Sequence, residues 1–219
     1  MNKLYVFLEA ILSTYRAGGA VMLPILISGV IGFYFLYASW MRLGRDFFKN
    51  NLPGFIQKME ALLADGKRRE ARNLLRQNKS FVAKELLLAL EKTNLSVQEL
   101  YGYMTVRLLD THRYLDKGTH VIAVMAIIAP LLGLLGTVTG MVATFDVITL
   151  YGNQNPVLMA DGISEALITT QSGLLIAFPL TLLKQRLDDR IEMIKQQIEL
   201  GATVILNYQL RTRGENHGI

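Results

Sequence analysis

Three long apolar runs limit what this chain can fold into. They are Ala20–Ser39, Val121–Leu150 and Val157–Leu183. The first run has no charged residue, and the other two together hold only three acidic residues. A helix of this length and polarity can cross the ~30 Å hydrocarbon core of a bilayer. The sequence therefore predicts transmembrane helices at 20–41, 121–150 and 157–183, which three such runs favour over core helices of a soluble protein.

The distribution of Lys and Arg predicts how these helices cross the membrane. Segment 42–120 holds fifteen of these residues and 184–219 holds six, whereas 1–19 holds two and the turn at 151–156 holds none. Short loops rich in Lys and Arg stay on the cytoplasmic side. We therefore expect an external N-terminus, an external turn, and a cytoplasmic C-terminus.

The segments outside the spans are predicted to be helical. In 1–19, four apolar residues share one helical face (Leu4, Leu8, Ile11 and Tyr15), which favours an amphipathic helix on the outer membrane surface over a short extension of the first span. The cytoplasmic domain at 42–120 contains a capping-box pattern at Ser96 to Glu99, and no proline follows until Pro130. A continuous helix from Ser96 into the second span is therefore expected.

A helical spacing of apolar residues continues beyond the third span, from Leu187 to Ile205. This pattern predicts a cytoplasmic helix at 184–210, followed by a disordered tail at 211–219. The predicted fold is an all-α membrane protein with three transmembrane helices, of which helices two and three extend far into the cytoplasm.

Several classes of function are excluded by what the sequence lacks. It contains no Cys and only three well-separated His, so neither a disulfide framework nor a protein-built metal site is expected. No phosphate-binding loop, G-x-S-x-G motif or paired acid and base is present, so we expect neither an enzyme nor a cofactor. The basic run at 67–76 is interleaved with acids and lacks aromatic residues, which favours contact with anionic phospholipids over nucleic acid.

The second and third spans carry small and weakly polar faces, and they are predicted to form an antiparallel hairpin. Thr137 lies 14 residues before Tyr151 and Thr170 lies 14 after Pro156, so both hydroxyls are expected at one depth. Close helix packing is predicted at four glycines, Gly133, Gly136, Gly140 and Gly173. Ion-path or partner-facing positions are predicted at Thr137, Thr144, Glu165, Thr169, Thr170 and Ser172. The alternative for each threonine is a bond to its own helix.

Glu165 is the most informative ionisable residue of the hairpin. A carboxylate within a span costs at least ~2–3 kcal/mol unless it faces protein or water. This cost favours a functional role, with a hydrated carboxylate near the outer surface as the alternative. The spans hold no deeper acid, so the chain is expected to form the wall of a cation path whose carboxylate another subunit supplies.

Two blocks of sequence resemble the ExbB/TolQ/MotA proton-channel family. They are APLLGLLGTVTG at 129–140 and GISEALITTQSG at 162–173, with Pro179 after them. Three spans and a large first cytoplasmic loop are similar to ExbB and TolQ rather than to the four-span MotA. By motif position, the resemblance implies that Thr137 faces the membrane Asp of a partner, and that Thr170 and Glu165 are the family's threonine and glutamate.

The resemblance also implies an assembly and a task. It implies a homopentamer in the bacterial inner membrane, surrounding a pair of single-span ExbD- or TolR-like helices. Proton flow would be converted into mechanical work on a TonB- or TolA-type protein, for transport across the cell envelope or its maintenance.

Some features depart from the family pattern and leave alternatives open. Thr139 stands where relatives often carry Trp, and the hydroxyls of Thr169 and Ser172 make the third span polar. Na⁺ coupling is therefore one alternative, and a structural scaffold without an ion path is another. On an ideal helix Glu165 also lies about 140° from Thr170, which suggests contacts with two different neighbours.

Overall fold

The fold is known from a computed structural model that describes residues 13, 17–43, 52–78, 80–152 and 156–216. Within these residues the chain forms α-helices and no strand, which confirms the predicted all-α class. The helices are α1 (Met22–Leu43), α2 (Leu52–Ala64), α3 (Arg68–Gln77), α4 (Phe81–Glu91), α5 (Val97–Asp116), α6 (Thr119–Tyr151) and α7 (Pro156–Asn216). The amphipathic helix predicted at 1–19 falls mostly outside the described residues.

Three parts of the described chain are long and apolar enough to cross a membrane. They lie in α1, in the stretch formed by α5 and α6, and in α7, which confirms the prediction of three helices able to span a membrane. Large apolar side chains on these helices are exposed, among them Leu134 at 58% and Leu175 at 73%. Such exposure is unfavourable in water but suits a surface that faces lipid or another membrane helix.

The chain divides into two compact units. The first, which we call the membrane unit, contains α1 as far as Ala38, α6, and α7 as far as Gln185. The second, which we call the polar unit, contains the end of α1, the helices α2 to α5, and α7 from Arg186 onwards.

Glycine contacts set the register of the membrane unit. A β-carbon added at Gly29 would lie 3.1 Å from Ile176, and one added at Gly32 would lie 2.7 Å from Leu180, so α1 runs parallel to α7. The contacts of α6 with α7 run in the opposite order along the chain, so these two helices form the predicted antiparallel hairpin.

A break separates α5 from α6, and the continuous helix expected from Ser96 into the second span is not formed. Gly118 has a φ of 90°, in the left-handed region, and acts as the N-cap of α6. A left-handed residue ends a helix, and glycine adopts this conformation without strain. The expectation was wrong because it considered only proline as a helix breaker.

The start of α5 agrees with the sequence. The hydroxyl of Ser96 accepts a hydrogen bond from the backbone N–H of Glu99 at 3.2 Å, and the Glu99 carboxylate accepts one from the Ser96 N–H at 2.8 Å. This reciprocal pair confirms the predicted capping box and satisfies two N–H groups that the helix itself leaves free.

The last helix is longer than the sequence predicted. It continues to Asn216, so residues 211–216 are helical rather than part of a disordered tail, and only 217–219 lie outside the described residues. No proline interrupts this stretch, and the Thr212 hydroxyl donates to the Tyr208 carbonyl at 3.1 Å within the helix.

The core of the polar unit is built on the apolar stripe of α7. The stripe is buried at Leu187, Ile191, Ile194, Ile198 and Ile205, as its spacing predicted. Near its end, the Gln209 side chain is only 2% exposed, and its amide donates to the carbonyls of Thr93 at 3.2 Å and Leu95 at 2.5 Å. These bonds attach α7 to the connection between α4 and α5.

Two ion pairs of the polar unit differ in burial and should differ in strength. The Arg107 guanidinium donates to both carboxylate oxygens of Glu85, at 2.9 and 2.7 Å, and the Glu85 side chain is only 10% exposed. This hydrogen bond raises the pKa of Arg107 above its ordinary value. The pair of Arg72 with Glu91 has a similar distance of 2.8 Å, but its side chains are 51% and 42% exposed.

We expect Arg107→Ala to lower the free energy of unfolding by about 2 kcal/mol, because it leaves the enclosed Glu85 carboxylate without its donor. The matched change Arg72→Ala should cost less than about 1 kcal/mol, since its pair is solvated. Urea unfolding of the detergent-solubilised protein, followed by circular dichroism, compares the two. Equal costs would contradict the assigned difference.

Candidate ion-path site in the membrane helices

The helices α6 and α7 of the hairpin pack closely at glycine residues. A β-carbon added at Gly133 would lie 3.0 Å from the carbonyl oxygen of Thr169, and one at Gly140 would lie 2.7 Å from that of Gly162. At Gly173 it would lie 2.6 Å from the carbonyl oxygen of Ala129. Backbone contacts this short require residues without side chains, which is how membrane helices pack when no hydrophobic drive brings them together.

Two of the predicted polar side chains are enclosed between these helices. Thr169 is fully buried, and its side chain occupies the space that a β-carbon at Gly136 would need. Thr144 is 3% exposed and sits in the same way against Gly162. Their hydroxyls donate to carbonyls of their own helices, at 2.9 Å in both cases. In the single chain both threonines are therefore packing residues of the hairpin.

Thr170 connects the two helices directly. It is partly exposed, and its hydroxyl donates to the carbonyl of Gly133 at 2.9 Å. Thr170 thus lies opposite Gly133, about one helical turn from Thr137 rather than opposite it. Thr137 and Thr170 therefore do not lie at the equal depth that was deduced from their distances to the external turn. The glycine contacts, and not the turn, determine the register of the hairpin.

The hydroxyl oxygen of Thr137 can still accept a hydrogen bond, and the side chain is partly exposed. Its hydroxyl hydrogen is donated to the Leu134 carbonyl of its own helix at 2.6 Å. With the hydrogen engaged, the lone pairs of the hydroxyl oxygen remain to accept a hydrogen bond from outside the helix. The arrangement suits a protonated carboxyl group, a water molecule or a cation.

Glu165 lies on a different side of α7. Its carboxylate is partly exposed and rests against Gly19, in the turn before α1, whereas Thr170 contacts α6. The two functional candidates therefore face different neighbours, in agreement with the angle expected between them. Ser172 is also partly exposed. Sequence reasoning missed Gly19, although the Gly18-Gly19 pair directly before the first span was the available signal.

Comparison with known proteins covers both helices of the membrane hairpin. Residues 72–200, more than half of the chain, match the MotA/TolQ/ExbB proton channel family. A protein of Methanothermobacter thermautotrophicus named as an ExbB homolog is 29% identical over 206 residues, which are 91% of this chain and 73% of that protein.

Two bacterial relatives match over shorter segments. The biopolymer transport protein exbB1 of Vibrio cholerae is 43% identical over 65 residues, 29% of this chain and 28% of that protein. The Tol-Pal system protein TolQ of Haemophilus influenzae is 34% identical over 82 residues, 37% of this chain and 36% of that protein. The chain belongs to the MotA/TolQ/ExbB proton channel family, as its two membrane blocks predicted.

Proposed function

We propose that this chain is the channel-forming subunit of an inner-membrane motor that converts proton flow into mechanical work. The observation that carries the proposal is the acceptor geometry of Thr137, a partly exposed hydroxyl whose hydrogen is already engaged by its own helix. Such an oxygen can accept a hydrogen bond from a protonated acid, but it cannot replace that acid as a proton carrier. Covalent chemistry has no place in this mechanism.

A proton carrier that meets the Thr137 oxygen must then come from a partner, with Glu165 as a separate proton-transfer group on the same path. Residues 121–183 contain Asp146, Asp161 and Glu165 and no basic residue, and the Glu165 carboxylate rests against Gly19 rather than against α6. A membrane acid on a single-span ExbD- or TolR-like protein would fill this role. We propose that a pair of such helices occupies the centre of a pentamer of this chain, and that the work is done on a TonB- or TolA-like protein for transport across the cell envelope or its maintenance.

The sidedness follows from charge. The acidic residues of the hairpin would lie towards the periplasm, with the N-terminus, and would attract cations. The basic polar unit and the C-terminus would lie in the cytoplasm, where Lys and Arg near the membrane surface are attracted by anionic phospholipids.

Thr137→Val tests the site because it removes the hydroxyl and keeps the shape. The loss of one hydrogen bond of about 1.4 kcal/mol from the proton-transfer step slows it about tenfold. We expect at least this loss of proton flux in proteoliposomes that contain the chain with its co-purified partner, and unchanged assembly by size-exclusion chromatography. Thr170→Val should give a similar loss.

Thr139→Val is the matched control. Thr139 lies on the same helix, and its exposed hydroxyl also donates to its own backbone, at 3.0 Å to Gly136. Its flux should stay within about twofold of the wild type, since a single surface substitution is nearly neutral. If Thr137→Val and Thr170→Val change stability but not flux, the hairpin is a structural scaffold instead.

The hydroxyls of the third span make Na⁺ the second candidate ion, because hard cations prefer oxygen ligands. Replacement of Na⁺ by K⁺ at a fixed pH gradient distinguishes the two. Unchanged flux indicates protons, and a fall in flux indicates Na⁺.

A further inference from the structure

The two glycines before α1 lie along the third membrane span. A β-carbon added at Gly18 would lie 3.1 Å from the Met22 sulfur and 3.4 Å from Ile168. A β-carbon added at Gly19 would overlap the carboxylate of Glu165. This short stretch of non-helical backbone therefore covers α7 between Glu165 and Ile168.

Gly19 meets two separate requirements for glycine. Its φ of +59° is in the left-handed region, where other residues are strained, and its α-carbon leaves the space that the Glu165 carboxylate fills. Gly66 has the first requirement without the second, because its φ is +74° and nothing lies within 4 Å of an added β-carbon. Gly19 therefore differs from Gly66 in its contact with Glu165 and not in its backbone angle.

A side chain at position 19 would displace the Glu165 carboxylate rather than the backbone of the turn. The carboxylate is the free end of a flexible side chain, whereas the turn is continuous with α1 and Gly18 is buried. Irregular backbone at membrane depth is tolerated where protein covers it, and it offers polar groups to a carboxylate that lipid would not. The absence of a side chain at position 19 thus determines the position of the Glu165 carboxylate.

We propose that Gly19 is a positioning residue for Glu165, and that the turn before the first span holds this carboxylate on the α1 side of α7. The proposal rests on the proposed function only in giving Glu165 a part in ion flow. It makes the first span more than a membrane anchor, because its entry turn determines the location of a charged group on the third span.

The contact can be tested without any measurement of function, because the chain contains no cysteine. Gly19→Cys with Glu165→Cys should form a disulfide within one chain on mild oxidation, as seen by mass spectrometry of the purified full-length protein. The control Gly18→Cys with Glu165→Cys should react at most roughly a tenth as fast, because disulfides demand narrow geometry. Absence of the first disulfide, or equal rates for both pairs, would overturn the contact.

Measurements of proton flux test whether the position of the Glu165 carboxylate affects ion flow. Gly19→Ala should lower flux roughly tenfold or more, because misplacing a reacting group by about 1 Å is enough to cost this much. Gly18→Ala and Gly66→Ala control for the location and for the backbone angle, and both should keep nearly full flux. Gly19→Ala combined with Glu165→Asp should recover part of the loss, since the shorter side chain avoids the new methyl group.

The outcomes separate this inference from the proposed function. Full flux in Gly19→Ala, when Glu165→Gln has lost it, would refute the positioning role alone. Full flux in Glu165→Gln would remove Glu165 from the ion path and the positioning role with it, while the disulfide would still report the contact. If Gly19→Ala fails to assemble, recovery of assembly and flux by Glu165→Asp supports the role, and failure to recover refutes it.

Discussion

Gly173→Ala is expected to prevent the α6–α7 hairpin from closing. The added methyl group would lie 2.6 Å from the carbonyl oxygen of Ala129 and 3.3 Å from the α-carbon of Gly133, and neither atom can rotate away as a side chain can. The helices must separate or shift, and such overpacking costs about 3 kcal/mol. Gly140→Ala should behave alike, because its methyl group would meet the Gly162 carbonyl at 2.7 Å.

Helical glycines elsewhere in the chain provide the control. Gly102 lies in α5, and nothing lies within 4 Å of a β-carbon added there. Gly102→Ala should therefore stabilise the protein by about 0.5–1 kcal/mol, as alanine does in an open helix position. The midpoint of unfolding in mixed micelles reports both changes. A Gly173→Ala protein as stable as the wild type would show that the hairpin does not close on glycine.

Glu165→Gln is expected to have the largest effect on function, a loss of proton flux of about a hundredfold. The amide keeps the shape of the carboxylate but cannot bind or release a proton, and a positioned proton-transfer group is worth about 10²–10⁴-fold. The measurement is the rate of acidification in proteoliposomes loaded with a pH-sensitive dye. Assembly should be unchanged, because the amide still fits beside Gly19.

Asp161→Asn is the matched control for this change. Asp161 lies one turn earlier on the same helix, but its side chain is exposed, so its charge acts only through the local potential. Its removal should lower flux less than about threefold, and this effect should fade in high salt. Equal losses in both variants would mean that Glu165 acts as a surface charge rather than as part of the path.

The spans and the helix caps could be predicted from sequence because their causes are local. Three charge-free or nearly charge-free runs require lipid or other helices as neighbours, and the Ser96 to Glu99 box specifies its own hydrogen bonds. The break at Gly118 was missed for a physical reason. A single glycine is compatible with a helix interior, and only the paths of the helices on either side decide whether it turns left-handed.

The residues at the hairpin interface could be predicted from sequence, but their arrangement could not. The glycine positions of the hairpin follow from the helical period, whereas the register depends on which carbonyl each glycine meets across the interface. Thr169 and Thr144 looked equivalent to Thr137 in sequence, yet only the packed hairpin shows that their side chains are enclosed. The contact of Glu165 with Gly19 joins residues far apart in the chain, and no periodic pattern encodes it.

The non-helical joint at Gly118 should tolerate inserted or deleted residues better than the continuous helix α7 does. One inserted residue turns the remainder of a helix by about 100°. At the non-helical joint before α6 this turn can be absorbed, so that the membrane faces of α6 keep their register against α7. Between Gly162 and Gly173, α7 has no such joint. An insertion there would turn one of these glycines away from the α6 atoms that it packs against, the Thr144 hydroxyl and the Ala129 carbonyl. Insertions and deletions can therefore accumulate at the joint but not within the hairpin.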